Sequence, residues 1–128
     1  MEFREQHAIY QQVADHVCEM ILTGVWPEGE RIPAVRDLAM ELQVNPNTVN
    51  KGYASLQERG LIQNQRGIGY FAAPDARRMI RNARRDEFFT NELPRILRTM
   101  SLLGITIDEI AGRYTTYRME TQSEKEDQ

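Results

Sequence analysis

The sequence predicts a mainly α fold carrying one small β-hairpin, and three observations predict it. Residues 35–59 hold two apolar stripes at helical spacing, parted by a short turn that ends on Asn45-Pro46, a good helix start. Two strand-like runs follow, Leu61-Ile62-Gln63-Asn64 and Tyr70-Phe71-Ala72, with glycines between them. After Pro74 the composition shifts to further amphipathic segments and a polar end. Helix, turn, capped helix and hairpin in this order make a winged helix-turn-helix. The chain therefore divides into a winged domain over 1–74, a helical dimerisation segment over 75–120 and a flexible acidic tail over 121–128.

Ile9 to Leu22 reads as an amphipathic helix with Tyr10, Val13, Ala14, Val17 and Ile21 on one stripe, ended by Gly24. Trp26-Pro27-Glu28-Gly29-Glu30 is a turn, with Trp26 packed against the helices. The next helix runs from about Val35 to Leu42 and buries Val35, Leu38, Ala39 and Leu42. Gln43-Val44-Asn45 turns the chain. Asn45 is a good N-cap and Pro46 a good first residue, because the missing proline N–H has no partner there in any case. This second helix reaches about Arg59, with Val49, Tyr53 (or Gly52) and Leu56 inward and Gly60 closing it. In the hairpin, Gly67 and Gly69 supply turn conformations and Arg66 stands at the tip.

The first turn of that second helix offers Asn45, Asn47, Thr48, Asn50 and Lys51. Amides, a hydroxyl and an ammonium bond base edges and phosphate oxygens. The helix N-terminus adds backbone donors and a positive dipole end. On an isolated helix such a polar turn is ordinarily a solvated face. The hairpin changes the reading, because Arg66 sits where a wing tip reaches the backbone or the minor groove. In motifs of this type the second helix enters the major groove by its N-terminal residues. The expected ligand is double-stranded DNA.

A family resemblance joins this reading. Its residues are Ile21-Leu22-Thr23-Gly24, Pro27-Glu28-Gly29-Glu30-Arg31-Ile32-Pro33, Val35-Arg36-Asp37-Leu38-Ala39, Asn47-Thr48-Val49, Tyr53, Leu56, Gly60-Leu61-Ile62 and Arg66-Gly67-Ile68-Gly69. Through them the stretch Tyr10 to Ala72 resembles the DNA-binding domain of the GntR family of bacterial transcription regulators. The resemblance implies that Arg36 contacts phosphate or base, that Asn45, Asn47 and Thr48 meet the groove, and that Arg66 and Gly67 engage the minor groove. Three positions depart from the family pattern: Ala34 stands where a serine is usual, and Pro46 and Asn50 stand where many members carry arginine.

Composition agrees with a small regulator. The chain has 128 residues, a single cysteine and a formal net charge of -3. Cys18 excludes an internal disulfide, points to a reducing compartment and, among Ala14, Val17 and Ile21, reads as a buried small hydrophobe. No apolar run approaches a membrane span and no signal peptide is visible, so a cytoplasmic location is expected. His7 and His16 stand alone as surface histidines, and no metal or cofactor site is recognisable. Nor is a nucleophile–base pair, carboxylate pair or phosphate loop, which excludes an enzyme. The acidity is uneven: the stretch 31–70 sets Arg31, Arg36, Lys51, Arg59 and Arg66 against Asp37, Glu41 and Glu58. Local placement governs phosphate neutralisation, so modest non-specific affinity and clear salt dependence are expected.

Past Pro74, Asp75 can cap a helix that continues to about Leu103, with Ala76, Met79, Ile80, Ala83 and Phe88 at helical spacing and Pro94 bending or breaking it. Gly104 stops it. Thr106-Ile107-Asp108-Glu109 is a capping box. Apolar stripes of two helices need a surface, and a second copy supplies the simplest one. The expected dimer residues are Phe88, Phe89, Leu93, Ile96, Leu97, Met100, Ile107, Ile110 and Tyr114. A short two-helix C-terminal segment of this kind resembles the YtrA subfamily, which implies a dimeric autoregulator, often beside genes for an ABC transporter. The expected function is a homodimeric repressor on a two-fold symmetric operator. The alternative is a small-molecule-gated regulator with a pocket between the C-terminal helices lined by Phe88, Phe89, Tyr114 and Tyr117, its effector unknown.

Overall fold

A computed structural model, which describes residues 8–126, gives the element order α1 (Ile9–Leu22), α2 (Val35–Leu42), α3 (Pro46–Glu58), β1 (Ile62–Gln65), β2 (Gly69–Ala72), α4 (Ala76–Glu87), a π-helical turn (Phe88–Glu92), α5 (Leu93–Leu103) and α6 (Ile107–Glu126). The mainly α fold with one hairpin is the one the sequence predicts. The chain forms two compact units, the first ending at Arg85 and the second beginning at Asp86.

In the first unit the apolar stripes close on each other. Val13, Val17 and Ile21 of α1, Leu38 of α2, Val49, Tyr53 and Leu56 of α3, and Ile62 of β1 are almost wholly removed from solvent. Each such aliphatic side chain contributes about 1.5–3 kcal/mol over its exposed state. Trp26 lies half-buried against this core, and the half-buried His16 meets it edge-on with ring centroids 6.2 Å apart. His7 falls outside the described residues. Beyond the composition shift after Pro74, α4 adds Ala76 and Ile80 to the same core.

Both helices of the motif end on one device. At the end of α3, Gly60 adopts φ 77°, its N–H reaches Gln57 O, and the Leu61 N–H reaches back to Leu56 O at 3.0 Å. At the end of α2, Gln43 takes the same left-handed conformation at φ 56°, with the Val44 N–H on Ala39 O at 3.0 Å. A side chain in that region costs on the order of 1 kcal/mol.

The hairpin pairs Ile62 with Ala72 through Gln65 with Gly69 in antiparallel register. It also gains a partner that periodicity did not reveal. Arg31 bridges Phe71, with the Ile32 N–H on Tyr70 O and the Ala72 N–H on Glu30 O. The α4 N-terminus is held by the same region. Its Arg77 N–H donates to the Glu28 carboxylate at 3.3 Å, and Arg77 Nε donates to Leu22 O at the end of α1 at 3.2 Å.

In the second unit Pro94 does not end the helical run. It sits in the first turn of α5, directly after the π-helical turn, where the Leu93 N–H bonds to Phe88 O five residues back. Proline removes one helical donor and crowds the preceding turn, and a wider turn there relieves both. Gly104 at φ 69° closes α5. The capping box forms as expected: the Glu109 N–H donates to Thr106 Oγ1 and the Thr106 N–H to the Glu109 carboxylate. Past Thr121, where the sequence suggested a tail, α6 continues to Glu126. No glycine or proline lies between Thr121 and Glu126 to stop it, and Thr121 Oγ1 donates to Tyr117 O.

Candidate nucleic-acid interface

The N-terminus of α3 projects as the sequence requires. Asn45 accepts the Asn47 N–H through Oδ1 at 2.8 Å, and Pro46 follows as the first helical residue. Asn45, Asn47, Asn50 and Lys51 are exposed and Thr48 is half-buried. The opposite face carries Val49, Gly52, Tyr53 and Leu56 into the core. Gly52 is a close-approach site, since a Cβ there would lie 3.0 Å from Tyr10 O and 3.3 Å from a Val13 methyl. The backbones of α1 and α3 meet here, which sets how far α3 stands out.

Tyr53 fixes α3 against the wing and the entry to α2. Its hydroxyl donates to Pro33 O at 2.7 Å, and its ring meets Tyr70 of β2 edge-on at 5.0 Å. Burial, then the neighbouring Tyr70, Glu41 and Asp37, push this phenol far above its ordinary range, so it stays a neutral donor. Burial likewise raises the Cys18 thiol, as suits a core hydrophobe.

Arg36 is exposed in the first turn of α2. That helix starts on Ala34 without a side-chain cap, so its first N–H groups are left for another acceptor. At the wing tip Gln65-Arg66-Gly67-Ile68 is a tight turn, with the Ile68 N–H on Gln65 O at 2.9 Å and Gly67 at φ 79°. Arg66, Gly67 and Ile68 are all exposed. The Arg31 side chain lies against the wing beside its tip turn: a Cβ on Gly69 would stand 2.8 Å from its Nε. Arg31 was part of the basic stretch in the sequence but had no assigned role; its backbone bridge to Phe71, which no local sequence signal marks, brings its side chain to the wing.

One predicted contributor is partly occupied elsewhere. Lys51 Nζ sits 4.2 Å from the centre of the Tyr10 ring, a cation–π contact worth about 0.5–1 kcal/mol when exposed. In the arginine cluster of α4, Arg77 bonds Leu22 O, Arg84 bonds Asp15 O at 3.1 Å and Arg78 pairs with Asp75 at 3.5 Å. Arg77 and Arg84 thus tie α4 to α1, while the exposed Arg78–Asp75 pair adds little.

The second unit carries the expected dimer residues. Phe88, Phe89, Ile96, Leu97, Ile107, Ile110 and Tyr114 are exposed, Ile107 to 65% and Tyr114 to 62%. Leu93 is half-buried and Met100, at 8%, is covered within the single chain. A concavity on α6 is an open groove lined by exposed Gly112, Arg113, Thr116, Tyr117 and Glu120. Among the described residues no helix is long and apolar enough to cross a membrane.

The family model for bacterial regulatory proteins of the gntR family matches residues 9–71. A GntR-family transcriptional regulator from Bacteroides thetaiotaomicron is 39% identical, with a TM-score of 0.71, over 89% of this chain and 99% of that one. The transcriptional repressor YtrA of Bacillus subtilis is 36% identical over 74 residues, 58% of this chain and 57% of its own. The DNA-binding domain of AraR, solved in complex with an operator, superposes on 57% of this chain and 86% of its own with a TM-score of 0.51 and 27% identity. These relatives are regulators rather than enzymes. With the capped α3, the exposed asparagines and the basic wing already in place, the chain belongs to the GntR family of DNA-binding transcription regulators.

Proposed function

We propose that the protein is a homodimeric repressor acting on a two-fold symmetric operator in the cytoplasm. Each copy would set α3 in a major groove and its wing on the neighbouring minor groove, with half-sites about one helical turn apart. The supporting observation is the open apolar surface of the second unit, from Phe89 and Leu97 to Ile110 and Tyr114. A surface of that kind on so short a segment calls for a cover, and a second copy brings an identical patch related by symmetry. The second unit, from Asp86 on, is thus the dimerisation element, and the winged domain with α4 packed on its core reads DNA. Repression follows the kinship with YtrA, and the subfamily resemblance makes an ABC-transporter operon the proposed target.

In this reading Asn45, Asn47, Thr48 and Asn50 face bases, while Arg36, Lys51, Arg66 and the Gly67 backbone position the duplex. Asn45 brings only its amide NH2, its oxygen being used as the cap. Arg36→Ala and Arg66→Ala are expected to weaken operator binding and to reduce its salt slope by about one unit each, with melting unchanged. Gel shifts across a salt titration, with sedimentation of the complex, measure this. Binding as tight as wild type by both variants, or one chain per operator, would refute the arrangement.

A further inference from the structure

The outward stripe of α3 is narrow in its chemistry. Asn47, Asn50 and Ala54 occupy it, all exposed, opposite Val49, Tyr53 and Leu56. Neither Asn47 nor Asn50 commits its side-chain amide to another of the described residues. No arginine lies anywhere in α3, and its one cation, Lys51, rests on the Tyr10 ring. Arg59, the first arginine after it, stands at the opposite end of the helix.

Base edges distinguish these groups. Guanine shows two acceptors in the major groove, O6 and N7, and a fork of donors meets both. Adenine shows the N7 acceptor beside the N6 donor, and a carboxamide meets that pair with its NH2 and its C=O. Set against guanine, the carboxamide oxygen faces O6, acceptor against acceptor. Resting on the reading that α3 enters the major groove, we infer that this protein reads adenine through Asn47 and Asn50, with no guanine contact from α3. Ala54, one turn further along, offers only a methyl, which suits the C5-methyl of thymine and lets the helix approach closely. Glu58 ends the stripe with a carboxylate, which repels phosphate and confines contact to the first turns.

The test is selection of bound sequences from a random duplex pool by the full chain and by Asn47→Ala, Asn50→Ala and Asn50→Arg. The expected wild-type motif is symmetric, with adenine at positions whose preference collapses in the alanine variants. Asn50→Arg is expected to convert one of them to guanine. Placing 7-deazaadenine there, which keeps base pairing but removes the N7 acceptor, is expected to weaken binding roughly tenfold. A guanine at the alanine-sensitive position, a motif unmoved by both alanine variants, or indifference to the deaza base overturns the adenine assignment and leaves operator binding standing. If folded wild-type chain enriches no motif, operator recognition falls, and the inference with it.

Discussion

The two compact units are built from the same local devices and reach opposite outcomes. Each opens a helix on a side-chain cap, Asn45 in one and Thr106 in the other, and each closes one on a left-handed glycine, Gly60 and Gly104. Yet the first unit buries its stripes to near-zero exposure, while the second leaves Leu97, Ile107, Ile110 and Tyr114 in the open. Caps and periodicity act within a few residues of themselves. Whether a stripe finds a partner in its own chain depends on how many layers converge on it. Three helices, a hairpin and the start of α4 converge in the first unit. The difference teaches that an apolar stripe measures a demand for burial, and the demand is met within one chain only where enough elements meet.

This contrast can be broken at either end. Leu56→Ala, in the closed core, should cost about 2–5 kcal/mol by denaturant unfolding followed at Trp26. A loss below about 1 kcal/mol would mean the first core is looser than its burial implies. Ile110→Asp, in the open unit, should leave the Trp26 transition within about 0.5 kcal/mol at concentrations where wild type is monomeric. The same change should turn dimer into monomer by sedimentation and reduce operator affinity at least tenfold. An unaltered dimer would remove Ile110 from the interface. The smallest effect sharpens the comparison of helix ends: Gln43→Gly should stabilise the first unit by about 0.5–1 kcal/mol, making α2 end as α3 and α5 do. A loss of stability would show that the Gln43 side chain does more than occupy a strained position.

Much of the fold could be read from the sequence because its signals are local. The limits of α1 and α2, the Asn45-Pro46 start of α3 and the Thr106 box are each encoded within four residues of where they act. What escaped depends on distant partners. Arg31 joins the hairpin through a bridge across forty residues of sequence, from a segment that reads as loop. Arg77 and Arg84 look like a solvated charge run, but their guanidinium groups hold α1 carbonyls. Pro94 carries the ordinary signal of a helix break, and no residue nearby announces the wider turn that absorbs it. The candidate interface was legible as a set of exposed polar side chains. The seat of Lys51 on Tyr10 was not, since it is a choice of side-chain direction.

The bonds made by Arg77 bear on where this chain can be cut. One residue covers the final carbonyl of α1 with its guanidinium while its own N–H is covered by Glu28, and Ala76 and Ile80 fill space beneath. Excision of the DNA-reading part at Pro74, where the composition invites it, would strip that lid and open a hole in the interior. A minimal reader of the operator has to run to Arg85, carrying nearly all of a helix whose sequence alone would assign it to the other half.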